Sequence, residues 1–283
     1  MKNRFSHSRC LGAFAITVLA LLAVAPASRT ASSSTVRTEA VAATVASCLS
    51  LVPPAYGPTV WTGISAPHKG PADVIADWGG TTNDPSSGGG PGGAFSRAND
   101  NSIMAAEGNG VTVLGYVWSD YANSSSAYPS APVSEVEAQV RTWKAWYGVT
   151  DIFVDGATVG TGQGQIKYYS QIYKYIHSLS PGASVWVNPG FYPSSSYLGV
   201  ADVIVDWENS SLPTSPPSWV LKYPASRFAN IIHGYAGSVS MALAVIRGDH
   251  AQYAYVTSSG NYSALPNYWS TEQADACSPA RHR

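Results

Sequence analysis

Charge is scarce in this 283-residue chain. Charged residues make up 12% of it, about half the usual ~25%. The formal net charge is -1. Such a surface lacks the clustered basic groups that nucleic acid demands, and it offers nothing like a cationic membrane-surface helix. Cysteine is equally sparse, with 3 in all. There is no His-Glu-x-x-His and no paired-cysteine pattern, so a zinc site lacks its usual spacing. His68, His177, His233 and His250 are scattered. No Gly-x-Ser-x-Gly elbow occurs. The glycine-rich stretch from Ser86 to Gly93 has no lysine, so it is no phosphate cradle. It reads as a flexible loop after Asp77. No metal and no cofactor are expected.

Long apolar runs are confined to the beginning. Lys2, Arg4 and Arg9 precede an almost wholly apolar stretch from Leu11 to Val24, and Ala25-Pro26-Ala27 follows. This is the pattern of a secretory signal peptide over 1–27 rather than a membrane span. Residues 28–47 are rich in Ser, Thr, Ala and Val without an aromatic, and read as a disordered tether. A single folded domain is expected over 48–277, followed by a tail at 278–283. Removing the leader leaves Cys48 and Cys277 at the two ends of that domain. Exported proteins meet an oxidising environment, so a disulfide between the two is expected. The mature protein is expected to be extracellular, monomeric and free of the membrane.

What the chain has is aromatic and small polar residues: 9 Trp, 17 Tyr and 26 Gly. Sugars present apolar ring faces to aromatics and hydroxyls to hydrogen-bonding groups, so this mixture suits a neutral carbohydrate partner.

Strand and helix patterns alternate. Strands are predicted at Asp73–Asp77, Val111–Val117, Asp151–Asp155, Ser184–Asn188, Ala201–Trp207, Phe228–His233 and Gln252–Thr257, with an early one near Thr59-Val60-Trp61. Val136, Val140, Trp143 and Tyr147 fall on one helical face, introduced by a capping-box pattern at Ser134 and Glu137 and stopped by Gly148. Tyr169, Ile172, Tyr173, Ile176 and Leu179 mark another helix, ended by Ser180-Pro181-Gly182. A third spans about Val239 to Arg247. Eight such units predict an α/β fold, a single-domain (β/α)8 TIM-type barrel, with a doubly wound open sheet as the alternative.

Several predicted strands end on acids. In a βα barrel the carboxyl ends of the strands form the active face, and two acids from different strands are the minimum for splitting a glycosidic bond. Asp155 and Glu208 are the candidate catalytic pair, with Asp206 as a further candidate. Strand alternation would put Asp206 and Glu208 on one face and Trp207 on the other. The candidate substrate-binding residues around them are Asp77, Trp78, Tyr116, Trp118, Asp120, Tyr121, Asn188, Trp207, His233 and Tyr235. Each Trp is read either as a stacking platform or as ordinary packing, and His233 as either a ligand group or an ordinary histidine.

The ordered set Gly115-Tyr116-Val117, Ile152-Phe153-Val154-Asp155, Asn188-Pro189-Gly190 and Ala201 through Glu208 resembles the spherulation-specific family 4, the spherulin-4-like proteins. So does the ending from Tyr255-Val256-Thr257 through Leu265-Pro266-Asn267-Tyr268-Trp269. The resemblance runs from about Pro53 to Trp269. It implies a (β/α)8 barrel related to secreted glycoside hydrolases, endo-acting on α-1,4-linked galactosamine or N-acetylgalactosamine stretches of extracellular polysaccharide. It implies Asp155 and Glu208 as family acids. The family's Asp-Glu motif is broken here, because Gly156 stands where the Glu is expected. Asp77 replaces an expected Asn, and Asn261-Tyr262 an expected Asn-Pro. The rival expectation is a catalytically impaired carbohydrate-binding or cell-surface protein on the same fold.

Overall fold

A computed structural model describes residues 48–66, 70, 72–79, 89–119, 131–160 and 162–278. The expected leader and tether lie outside the described residues, as do Asp120, Tyr121 and most of the glycine-rich loop.

The first stretch of the domain closes the sheet. β1 (Ser50–Leu51) pairs in parallel with β9 (Tyr253–Val256), and β2 (Pro54–Ala55) pairs in parallel with β3 (Asp73–Ala76). Pro53 and Pro54 carry no N–H, so this stretch cannot bond evenly along its length. It bonds where it can. Val52 N–H donates to the Ala254 carbonyl, and the Pro53 carbonyl accepts from Ile75 N–H. The same six-residue run is therefore held by the last strand on one side and by β3 on the other. The circuit continues through β4 (Thr112–Trp118), β5 (Asp151–Asp155), β6 (Val185–Val187), β7 (Val203–Asn209) and β8 (Phe228–Ile232), every pairing parallel. Counting β1 and β2 as one stave, the barrel has eight, the (β/α)8 architecture that the alternating pattern predicts.

The stave is not where the sequence places it. Thr59-Val60-Trp61 lies in α1 (Pro58–Ile64), and not in a strand. Pro58 sits in the first helical turn, where its missing N–H costs nothing. Val60, Trp61 and Ile64 then fall on the buried side at helical spacing. The outer layer continues with α2 (Arg97–Gly108), α3 (Val133–Tyr147), α4 (Gln163–Leu179), α5 (Val239–Gly248) and α6 (Trp269–Ala276). Among the described residues the β6–β7 and β7–β8 crossovers carry only 3-10 turns. Gly148 ends α3 in the left-handed conformation, φ 71°, as read. The capping box does not form. Pro132, at φ -59°, is the N-cap without a side-chain bond, which puts Ser134 inside the first turn.

Two apolar layers follow from strand alternation. Ile75, Leu114, Phe153, Trp186, Val205, Ile231 and Tyr255 fill the barrel, while Val74, Val117, Ile152, Val154, Ile204 and Ile232 face the helices. Gly115 is needed for this packing. A Cβ there would stand 2.7 Å from the Trp143 ring, whose indole N–H donates to the Tyr116 carbonyl at 2.7 Å. No helix among the described residues is long and apolar enough to cross a membrane.

The two ends of the domain are tied. Cys48 and Cys277 form a disulfide across 229 positions of sequence. Leu49 N–H donates to the Ala276 carbonyl, and Gln252 Nε2 donates to the Cys48 carbonyl at 2.5 Å. The bond therefore fastens α6 beside the closing stave. Replacing both cysteines by serine is expected to lower unfolding stability by about 2–5 kcal/mol in urea titration. Two alkylatable thiols in the unreduced protein, measured by mass, would contradict the bond.

Candidate active site

The inward positions just beyond the barrel core carry polar groups. β3 delivers Asp77, β5 Asp155, β6 Asn188 and β7 Glu208, all at the carboxyl ends of their strands. Asp155, Asn188 and Glu208 are joined with Tyr116 and Tyr262 in a continuous chain of hydrogen bonds. Tyr116 hydroxyl donates to Asp155 Oδ2 at 2.7 Å, and Asn188 Nδ2 donates to Asp155 Oδ1 at 2.7 Å. The same Asn188 nitrogen donates to Glu208 Oε2. Tyr262 hydroxyl donates to Glu208 Oε1 at 2.6 Å. Asn188 Oδ1 accepts from Gly190 N–H at 2.9 Å. That last bond fixes the amide with its nitrogen toward the two acids, since an amide oxygen there would face two acceptors. Two ordinary hydrogen bonds span roughly 6 Å, so the nearest oxygens of Asp155 and Glu208 lie no further apart than about that.

Asp77 completes the acid group. Its Oδ1 accepts from Gly79 N–H at 2.9 Å and from Gly90 N–H at 2.7 Å. A Cβ on Gly89 would come within 2.3 Å of the Tyr116 ring and 2.9 Å of Asp77 Oδ2, so that loop approaches closely only because residue 89 is glycine. Burial pushes the Asp155 carboxyl up to about 6, and the neighbouring Glu208 charge adds to the effect against the bonds from Tyr116 and Asn188. Burial also raises Asp77 to about 6, opposed by its two backbone bonds. Burial first, then the Asp155 charge, holds the Tyr116 hydroxyl well above the ordinary tyrosine range.

Glu208 reaches this cluster because β7 is irregular. Val205 pairs with Ala229, but Trp207 and not Asp206 pairs with Asn230. Asp206 is the extra residue of a β-bulge, which shifts the alternation by one. Asp206 and Glu208 therefore do not share a face. Asp206 is fully buried toward the helix layer, accepting from Asn230 Nδ2 at 2.9 Å and lying near Asp249. Trp207 packs on Phe191 and Tyr192, with its indole N–H on the Ser211 carbonyl at 2.8 Å.

Other expected site residues are distributed unevenly. Trp78 packs against Trp61, Trp143 and Tyr147. Trp118 touches both apolar layers beside Asp155. His233 lies edge-on to Tyr262, with centroids 6.3 Å apart. Tyr235 packs against the helix-side core. Two residues of the cluster were not singled out as site residues. Tyr262 is in the last loop, within the block that carries the family resemblance. Tyr56 follows the closing stave and lies edge-on to Tyr116 and Tyr262, at 6.2 and 5.4 Å. Its signal was an aromatic directly after a strand. That strand was placed several residues late, so the aromatic was not read as a strand end. Among the described residues no group of three His, Cys, Asp or Glu is arranged to hold a metal ion.

The parallel eight-stave barrel is a fold also seen in a chitinase. It superposes on a chitinase from Chromobacterium violaceum with a TM-score of 0.52 at 12% identity, covering 82% of this chain and 99% of that one. It superposes better on Aspergillus clavatus Sph3, solved in complex with GalNAc, with a TM-score of 0.62 at 20% identity, covering 83% of this chain and 99% of that one. The sequence pattern of spherulation-specific family 4 matches residues 81–275, and the chain belongs to that family. Spherulin-4 of Physarum polycephalum is 30% identical over an alignment of 189 positions that covers 61% of this chain and 53% of spherulin-4. The chain thus matches about half the length of that relative.

Asp206 provides a test of the bulge. Burial, then the Asp249 charge, holds its carboxyl well above the ordinary range. The folded state therefore keeps a proton that the unfolded chain loses at about pH 4. The associated stability is complete below about pH 4 and is lost as pH rises through the folded value. Asp206→Asn keeps an oxygen for Asn230 Nδ2 and removes the group that ionises. The variant is expected to be at least as stable as the wild type at neutral pH, with a flatter pH dependence in urea titrations. A large loss at neutral pH would show that the aspartate is needed as an anion.

Proposed function

We propose that this chain is a secreted, endo-acting glycoside hydrolase that cleaves galactosamine- or N-acetylgalactosamine-containing extracellular polysaccharide with Asp155 and Glu208 as its acid pair. The observation that carries the reading is the sharing of one amide nitrogen, that of Asn188, by two carboxylates from different strands at the barrel mouth. The family, and the GalNAc bound to the similarly folded Sph3, supply the sugar class. The apolar leader at 1–27 supplies the route out of the cell, and the folded unit at 48–277 is the part that acts.

Asp155 is the general acid in this scheme. Burial and the Glu208 charge favour its protonated form, as a leaving-group acid requires. Glu208 accepts from Tyr262 and Asn188 and faces the positive charge that develops on the sugar ring. A spacing within about 6 Å favours the close-set retaining geometry, near 5–5.5 Å, over the wider inverting one. In the retaining course Glu208 attacks the anomeric carbon while Asp155 gives its proton to the departing oxygen. Asp155 then takes a proton from the water that releases the sugar from Glu208. Asp77, Trp118 and His233 line the approach.

Gly156 favours a second reading. Its φ of 71° lies in the left-handed region, which a glutamate would adopt only with strain. The chain therefore lacks the family's adjacent acid by backbone design as well as by residue. A sugar-binding protein without turnover is the alternative.

The test compares Glu208→Gln, Asp155→Asn and Asp206→Asn on α-1,4-linked N-acetylgalactosamine oligomers, scoring new reducing ends. The first two are expected to lose about 10²–10⁴-fold in turnover while still binding. The third is expected to stay near wild type. Wild-type turnover should decline on the alkaline side as Asp155 gives up its proton. Full activity in Glu208→Gln would refute the pair. Binding by the wild type with no cleavage would install the second reading.

A further inference from the structure

A groove of about 580 Å³ runs between α1 and α2, on the flank of the barrel rather than in its mouth. Its size falls within the range of small-ligand sites. Trp61 and Trp78 line it, stacked at 5.1 Å and 19°. Thr62, Asn99, Asn101 and Ser102 add hydroxyls and amides. Among the described residues no lining residue carries a charge. The nearest charged pair on α2, Arg97 and Asp100, is joined to itself at 2.6 Å. Trp61 is only 4% exposed, and its indole N–H has no acceptor.

Tyr56 connects this groove with the acids. It lines the groove, is 42% exposed, and meets edge-on the two tyrosines that bond Asp155 and Glu208. We propose that the α1–α2 groove is a second sugar-binding stretch, taking several uncharged, N-acetylated units of a polymer chain that leads over Tyr56 into the mouth. This rests on the carbohydrate reading of the site and adds a substrate preference to it. Tyr56 supplies the exposed aromatic face, Trp61 and Trp78 form an apolar floor packed on each other, and the amides and hydroxyls suit ring hydroxyls and acetyl groups. An unacetylated amino sugar is cationic, and an ammonium buried here would meet no carboxylate among the described lining residues.

The experiment measures binding separately from turnover. Ala105, exposed on α2 and lining the groove, is replaced by Trp to fill it. Met104→Trp is the control, 61% exposed and outside the groove lining. Titration calorimetry uses N-acetylgalactosamine oligomers of increasing length and their fully deacetylated counterparts. The wild type and Met104→Trp are expected to gain affinity with length for the acetylated series. Ala105→Trp is expected to lose that gain, by about tenfold or more on the longest oligomers. It should not change the affinity for the deacetylated series. Equal length dependence in Ala105→Trp and wild type would overturn the groove, and so would absence of any length dependence in the wild type. An equal loss for acetylated and deacetylated chains would overturn the preference for uncharged units. A wild type that binds with the expected length dependence but never cleaves would leave the groove standing and remove only the hydrolase.

Discussion

Alternation along a strand is strict, so a strand that ends in Asp-Trp-Glu ordinarily sends both acids to one face. In β7 the bulge at Asp206 breaks that rule once, and the arrangement of the mouth depends on it. Without the extra residue, Val205 inward would force Asp206 outward, Trp207 inward and Glu208 outward. With it, Asp206 and Trp207 both stay on the helix side and Glu208 turns into the barrel. Glu208 can then accept from Asn188 and Tyr262. The cost is an aspartate with one oxygen unpartnered in the helix layer. Bulges beside functional sites commonly re-aim a side chain in this way.

The consequence is electrostatic. Once Glu208 is inside, it shares a donor with Asp155, and two carboxylates at this separation disfavour double ionisation. Asn188 relieves the repulsion by placing one N–H on each, but it cannot remove it. Burial and the second charge therefore act in the same direction on Asp155. Tyr116 and Asn188 limit the shift, because both bond the ionised form. A proton held on one member of a close pair is the condition that acid-assisted bond cleavage needs. The strand irregularity and the protonation state are thus one chain of cause.

Most of the barrel was legible because its strands are apolar runs that stop on polar groups. Asp151–Asp155 was read to the residue, and β4, β6, β8 and β9 to within about one or two, as boundary signals usually allow. The closing stave was not legible. Ser50–Ala55 contains Pro53 and Pro54, which argue against a strand, whereas Thr59-Val60-Trp61 has high strand propensity but follows a helix-starting proline. What decides is the stave's shared position between β9 and β3, a long-range fact absent from local pattern. The site shows the same division. Asp155, Asn188 and Glu208 could be found from strand ends. The separation of Asp206 from Glu208 could not, because nothing in Val-Asp-Trp-Glu marks a bulge. Trp78 looked like a cleft residue because it follows Asp77, yet alternation after an inward acid sends the next side chain outward. It joins Trp61, Trp143 and Tyr147 there.

Gly156, where the family resemblance leads an acid to be expected, bears on how the neighbouring groups are arranged. A left-handed residue directly after Asp155 turns the chain back across β6, where Ala157 N–H meets the Asn188 carbonyl. That bond holds the backbone of the residue whose side chain bridges the acid pair. Glycine at 156 is therefore compatible with a well-held Asn188 in a way that a strained glutamate is less so. On the opposite side of Tyr116, Asp77 stands where the family resemblance expects an amide. Two backbone N–H groups bind it, and burial favours its protonated form. The mouth thus holds three carboxyl groups, Asp77, Asp155 and Glu208. Asn188 joins Asp155 to Glu208, and the Asp155 charge acts on Asp77, so Asp155 is the member through which the three are related.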